Sequence, residues 1–133
     1  MKKSLLDTDT IINFFKKDIN TLKNATLYLA EFNSFIISEI NYFEFKKGIE
    51  YKGSEKQKIA FEQFVDEIEV LNISRNTVKI SASIYSDLRK KGVTIGSSDL
   101  LIAGIAIHSD LQLITNNTAH FAQIQGLSLH NWK

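Results

Sequence analysis

Short apolar runs alternate along this chain with segments whose apolar residues recur every three or four positions. The short runs are typical of buried strands, and the longer segments are typical of amphipathic helices. The runs lie at 4–6, 35–37, 70–73, 111–115 and 127–129. Such alternation favours a parallel sheet covered by helices and connected by right-handed crossovers. The sequence therefore predicts a single α/β domain over 1–133, three layers deep, with a central, mostly parallel sheet of four to five strands and helices on both faces.

Capping signals refine the helical segments. Ser38 is a good N-cap for the helix that follows the second strand, and Gly92 ends a helix whose last turn is basic. Ser97 or Ser98 is expected to cap the nearly all-apolar segment 100–107. The helical pattern covers 9–17, 22–32, 38–51, 61–68, 78–91 and 100–107, and a short helical turn runs through Phe121.

Composition excludes several classes of protein. The chain has no cysteine, which rules out disulfides and thiolate metal sites. No apolar run approaches the roughly 20 residues of a membrane span, and the N-terminus lacks the apolar segment of a signal peptide. We therefore expect a cytoplasmic protein with no membrane partner. A net charge of +1 neither requires nor excludes a nucleic-acid partner.

Acidic residues stand at three places where such a fold gathers functional groups. Asp7 and Asp9 flank a hydroxyl at the turn from the first strand to the first helix, where they either cap the helix or act in a site. Glu44 lies on the helix after the second strand among aromatic residues, where it is paired or metal-bound, or else faces solvent or pairs with Lys47. Asp99 opens the apolar segment, where it either stabilises the helix dipole or joins a site.

These acids would meet at one edge of the sheet if its strands are parallel. Two carboxylates about 4 Å apart repel by roughly 4 kcal/mol at an effective dielectric of about 20. A cluster would therefore need raised pKa values or a cation, and oxygen ligands alone suit Mg²⁺ or Mn²⁺. The alternative is that the acids are dispersed and serve as solvated or capping residues.

Five segments of the chain form an ordered set of motifs: Leu5-Leu6-Asp7-Thr8-Asp9, Ile37-Ser38 with Phe43-Glu44-Phe45 and Gly48, Ile95-Gly96-Ser97-Ser98-Asp99-Leu100-Leu101-Ile102-Ala103, Leu113 to Phe121, and Gly126-Leu127 with Trp132. The first three resemble successive landmarks of the PIN-domain family, and the last two resemble the VapC toxins of bacterial toxin–antitoxin pairs. The match covers nearly the whole chain, in order.

The resemblance implies a PIN-like fold and a Mg²⁺-dependent ribonuclease that cuts RNA, arrests translation and is held inactive by a VapB-type antitoxin. It also implies a homodimer that contacts operator DNA only through the antitoxin complex. Asp7, Glu44 and Asp99 correspond to the metal-binding acids of the family. Thr115 and Asn116 correspond to residues that orient water or phosphate.

Such antitoxins lay a helix or an extended tail into an apolar groove. The first two helices and the Phe61–Ile68 segment offer aromatic surface for this contact. Nearby lysines are candidates for neutralising the RNA backbone, although charge runs are more often solvated faces. They are Lys16, Lys17, Lys46 and Lys47.

His120 departs from the family pattern, because many members have an acid at this position. Its presence favours one metal ion over two. His120 either donates to a phosphate, acts as an acid or base near neutral pH, or is a surface loop histidine. Asp9 either replaces the missing carboxylate or caps the first helix.

Two other functions remain open at this point. One is a catalytically weak PIN module that binds RNA or the antitoxin without efficient turnover, which His120 favours and the three retained acids disfavour. The other is an acidic pocket that receives a phosphoryl group. That pocket would need a lysine after the last strand, where this chain has Asn116 and Asn117 or His130 and Asn131.

Overall fold

The computed structural model describes all 133 residues and contains five strands and seven helices. In chain order they are β1 (Ser4–Leu6), α1 (Thr8–Phe15), α2 (Ile19–Phe32), β2 (Ile36–Ser38), α3 (Glu39–Lys52), α4 (Glu55–Asp66), β3 (Glu69–Leu71), α5 (Arg75–Lys90), α6 (Ser97–His108), β4 (Gln112–Ile114), α7 (Thr118–Phe121) and β5 (Leu129–His130). The predicted α/β alternation is confirmed. No helix combines the length and the apolar content that crossing a membrane requires.

All hydrogen-bonded strand pairs are parallel, and they form two ladders. One ladder has the order β1-β4-β5 and the other joins β2 to β3. Strands β1 and β2 lie next to each other without a ladder of backbone hydrogen bonds between them. The predicted central sheet is therefore parallel throughout its paired strands, and it is divided between β1 and β2.

The strands bury apolar side chains on both faces because successive residues of a strand point to opposite sides. Leu5 and Leu113 belong to one core, which α5, α6 and α7 complete. Leu6 and Ile114 belong to a second core, built mainly with α1, α2 and α4. Helices thus cover both faces of the sheet, which gives the predicted three layers.

Helices α2, α4, α5 and α6 each begin at least three residues before their apolar patterns predict, because their first turns are largely polar. Helix α2 begins at Ile19, where the Asp18 carboxylate accepts a hydrogen bond from the Thr21 amide at 3.0 Å. Helix α4 begins at Glu55 and is capped by Ser54. The expected cap of α6 was wrong, because the N-cap is Gly96, which places Ser97 and Ser98 within the first turn.

Helices α5 and α6 approach closely at a glycine. The Ser81 hydroxyl donates to the Leu100 carbonyl at 2.7 Å across this contact. A Cβ atom added to Gly104 would lie 2.8 Å from the Thr77 carbonyl oxygen and would also overlap the Ser81 side chain. The close approach holds the buried helix α6 in place, and α6 carries Asp99 in its first turn.

We expect Gly104→Ala to destabilise the protein by about 1–3 kcal/mol, because the Thr77 carbonyl is backbone and cannot rotate away. Urea denaturation followed by circular dichroism measures the change. Gly48→Ala is the matched control, since nothing lies within 4 Å of a Cβ at this helical glycine. This control should be neutral or stabilise the protein by up to about 1 kcal/mol. Equal stability of Gly104→Ala and wild type would contradict the packing argument.

Candidate active site

Asp7 and Thr115 lie side by side because of the register between two strands. Leu6 of β1 pairs with Ile114 of β4, and each strand ends at that pair. The Thr115 hydroxyl donates to Asp7 Oδ2 at 2.8 Å, and the Asp7 carboxylate also accepts from the Thr8 backbone amide at 2.8 Å. Asp7 is therefore the N-cap of α1 and also the buried centre of an acidic cluster, with 7% of its surface exposed.

Asp9 reaches from the first turn of α1 to the segment after β4. Its Oδ2 atom accepts a hydrogen bond from the Asn116 backbone amide at 3.0 Å and lies 3.3 Å from the Thr115 hydroxyl, whose single hydrogen is shared with the shorter bond to Asp7. The interpretation of Asp9 as a helix cap was wrong, because α1 begins one residue earlier and its cap is Asp7. Asn116 lies beside this cluster, and its side-chain oxygen is buried without a hydrogen-bond partner in the protein.

Glu44 joins the cluster from α3. The Thr8 hydroxyl donates to Glu44 Oε1 at 2.6 Å, so the carboxylate is partly buried next to the first turn of α1. The alternative pairing with Lys47 was wrong, because the Lys47 amine lies over the Phe43 ring instead. No lysine or arginine forms an ion pair with Glu44.

Asp99 lies in contact with His120. Nε2 of His120 is 3.0 Å from Asp99 Oδ2, and each side chain is about one-third exposed (31% for His120, 33% for Asp99). His120 lies on α7, and the interpretation of it as a free loop histidine was wrong. His120, which departs from the pattern that the resemblance implies, thus contacts Asp99.

The cluster carries negative charge that no strong cation compensates. Burial, followed by the charge of Asp9, raises the pKa of Asp7 from 3.8 to about 7, and Asp99 adds to the rise against hydrogen bonds from Thr115 and Thr8. Burial also raises the pKa of Asp9. The ion pairs of the protein include none between a lysine or arginine and Asp7, Asp9, Glu44 or Asp99. Asp7 and Asp9, whose charged forms are disfavoured by burial, therefore favour either a proton or an added cation.

The donor set fits a hard divalent cation. The cluster offers carboxylate oxygens, the ligands that Mg²⁺ prefers. No three acidic or histidine side chains are arranged to hold one ion in this conformation. Mg²⁺ commonly uses only one or two carboxylates and completes its shell with waters and substrate phosphates, so an open arrangement suits it.

Two residues of the site were not singled out from the sequence. Thr8 supplies the hydroxyl group between Asp7 and Asp9, and its hydrogen bond to Glu44 joins residues that are 36 positions apart in the chain. Asn41 is fully buried and donates to Thr8 Oγ1 at 3.1 Å and to Asp7 Oδ1 at 3.5 Å. The spacing of Ser38 and Asn41 is a capping-box signal, but it gives no indication that the amide reaches the acids.

A groove of about 400 Å³ lies between α1, α3 and α4 and includes Glu44 in its wall. Its apolar lining comes mainly from Phe15, Phe45 and Phe61, and Lys16 and Lys52 lie at its border. Lys46 is already paired with Glu50 and Glu62 and lies outside the lining. Of the helices expected to offer aromatic surface, α1 and α4 line this groove together with α3, whereas α2 does not.

Comparison with known proteins identifies the family. A PIN-domain model matches residues 4–127. Ribonuclease VapC2 of Rickettsia felis is 31% identical over 129 residues, which cover 96% of each chain. The tRNA(fMet)-specific endonuclease VapC of Salmonella typhimurium is 31% identical over 138 residues, which cover 99% of each chain. In the crystal structure of R. felis VapBC2 bound to a fragment of its promoter DNA, a chain matches with a TM-score of 0.86, 29% identity and 98% coverage of both chains. The chain thus belongs to the PIN-domain family, as a VapC-type ribonuclease.

Proposed function

We propose that this protein is a Mg²⁺-dependent endoribonuclease toxin in which Asp7, Glu44 and Asp99 hold the ion, with Mn²⁺ able to replace it. One observation carries the proposal. Glu44 is joined to the first turn of α1 through Thr8, Asp99 lies near enough to raise the pKa of Asp7, and no lysine or arginine pairs with any of these three acids. Ionised Asp7 reduces stability, because its burial and the charges of Asp9 and Asp99 disfavour its charged form and raise its pKa. A divalent cation removes that cost.

The protein groups around the cluster have separable tasks. Thr115 and the Asn116 backbone amide orient Asp7 and Asp9, while His120 occupies one oxygen of Asp99. When bound, the ion neutralises phosphate charge and activates water for hydrolysis. With His120 in place of a further acid, we propose one ion for the site. Lys16 and Lys52 at the border of the groove then attract the RNA backbone.

The relatives support a proposal about the antitoxin partner of this chain. The R. felis structure is a VapBC complex on promoter DNA, and we propose a VapB-type antitoxin for this chain as well. The groove beside Glu44 is the surface we assign to it, since an occupant there would also cover Glu44. We further propose a homodimer that acts in the cytoplasm, arrests translation by cutting RNA, and contacts operator DNA only through the antitoxin.

His120 also supports a second candidate, a PIN module that binds RNA or antitoxin without efficient turnover. Its contact with Asp99 takes one oxygen from a carboxylate that a two-ion site would need. Cleavage assays separate the two candidates, because only the nuclease turns over RNA when Mg²⁺ is added.

Asp99→Asn should lower RNA cleavage by roughly 100-fold or more, the typical cost of removing one preorganised electrostatic group. The assay uses antitoxin-free protein, a bacterial tRNA pool and Mg²⁺, with EDTA as a second way to remove activity. Asp87→Asn on α5 is the matched control, because Asp87 is exposed and belongs to a different surface depression. Undiminished cleavage by Asp99→Asn, or cleavage that resists EDTA, would refute the metal-dependent mechanism.

Asp7→Asn should stabilise the metal-free protein at alkaline pH. Asp7 has a pKa of about 7 in the folded protein and an ordinary value of 3.8 when unfolded, so the native state binds this proton more tightly. The destabilisation caused by ionised Asp7 therefore grows as the pH rises from about 4 and is complete above about 7. The variant should gain on the order of 2–4 kcal/mol over wild type at pH 8, and the gain should shrink towards pH 4.

Urea denaturation in EDTA at pH 8 and pH 4.5 measures this difference. Adding Mg²⁺ at pH 8 should then stabilise wild type more than Asp7→Asn, because the ion replaces the missing proton. If the variant is no more stable than wild type at pH 8, ionised Asp7 does not destabilise the folded protein.

A further inference from the structure

A continuous chain of hydrogen bonds leads from the backbone of β2 to one oxygen of Glu44. The Ser38 backbone amide donates to Asn41 Oδ1 at 3.0 Å, and Asn41 Nδ2 donates to Thr8 Oγ1 at 3.1 Å. The Thr8 hydroxyl then donates to Glu44 Oε1 at 2.6 Å. The chain therefore crosses from α3 to α1 and returns to α3 one turn further along.

The direction of this chain is fixed by its first member. A backbone N–H group can only donate, so the atom of Asn41 that faces Ser38 must be the amide oxygen. The Asn41 amino group therefore faces Thr8, where the hydroxyl oxygen accepts its hydrogen. A hydroxyl has a single hydrogen to donate, and that of Thr8 goes to Glu44.

The first members of the chain are well shielded from water. Ser38 and Asn41 have no exposed surface. The Asn41 amide is also held by the Ser38 hydroxyl, which donates to Asn41 Oδ1 at 2.6 Å. In such surroundings a change of hydrogen-bond partner leaves a buried polar group unsatisfied, which is costly. The amide is therefore a rigid support for Thr8, and through Thr8 for Glu44.

We infer that Thr8 and Asn41 are positioning residues that present Glu44 to a divalent cation. With Oε1 occupied by the Thr8 hydroxyl, Oε2 is the oxygen of Glu44 that has no protein partner. Asn41 also donates to Asp7 Oδ1 at 3.5 Å, so one buried amide sets the orientation of two of the proposed ligands. This inference rests on the proposed function, since it assigns the free oxygen to the ion of that site.

The test compares the Mn²⁺ affinity of wild type, Thr8→Val and Thr8→Ser in the absence of RNA, by electron paramagnetic resonance of free Mn²⁺. Valine keeps the shape of threonine and removes the hydroxyl, so Thr8→Val should bind Mn²⁺ about 10- to 100-fold more weakly. Serine restores the hydroxyl, and Thr8→Ser should return to nearly wild-type affinity. Neither variant alters the bonds between Ser38 and Asn41, which keeps the cap of α3 intact.

Thr26→Val is the matched control, because the Thr26 hydroxyl is exposed on α2 and bonds only to the Leu22 carbonyl of its own helix. It should bind Mn²⁺ as wild type does. Unchanged affinity in Thr8→Val would overturn the positioning role while leaving the metal site intact. Affinity as weak in Thr8→Ser as in Thr8→Val would overturn it too. Failure of wild type to bind Mn²⁺ would overturn the proposed metal site, and this inference with it.

A second measurement needs no variant at the site. In the metal-free wild type, nuclear Overhauser effects should connect the Asn41 side-chain amide with the Thr8 methyl group, because the two side chains are joined by a 3.1 Å hydrogen bond. Absence of these effects in the folded protein would overturn the hydrogen-bond chain itself.

Discussion

The parallel pairing of β1 with β4 is the constraint on which the rest of the structure depends. Leu6 opposes Ile114 in that pair, so the residues that follow them, Asp7 and Thr115, leave the sheet as neighbours. A shift of one residue would turn the side chains of a strand to the opposite face, and both apolar cores would be lost. The hydrophobic cores and the acidic site therefore share one register.

The buried acid at the end of β1, Asp7, reduces the stability of the folded protein in the absence of a cation. Asp7 caps α1, which favours folding, yet its burial beside Asp9 raises its pKa to about 7 and disfavours its charge. The surrounding hydrogen bonds from Thr8 and Thr115 reduce the conflict without removing it. Functional sites of enzymes often reduce the stability of the fold. The divalent cation proposed above would recover that stability, because a group that binds only the folded state stabilises it.

The architecture was predictable because each buried strand appears in the sequence as a short apolar run. Each apolar run lies at least partly within a strand. Asp7 was selected at the end of a strand, Asp99 at the start of a helix, and Glu44 on the helix that follows β2. The contacts among them were not predictable in the same way. The bond of Thr8 to Glu44 and the contact of His120 with Asp99 join residues 36 and 21 positions apart, and they depend on how α1, α3, α6 and α7 pack. The errors at Asp9 and at Ser97 or Ser98 have a local cause, since moving a helix start by one or two residues changes which side chain can cap it.

The division of the sheet between β1 and β2 has a consequence for how the nuclease is assembled. Asp7 and Thr115 belong to the β1-β4-β5 ladder, whereas Asn41 and Glu44 follow the β2-β3 ladder. No backbone ladder joins the two halves, so side-chain packing and the Asn41–Thr8–Glu44 bonds hold the acids together across the seam. A chain in which only one half is folded would carry only part of the proposed ligand set. RNA cleavage by the proposed mechanism would therefore require the two ladders to be docked against each other.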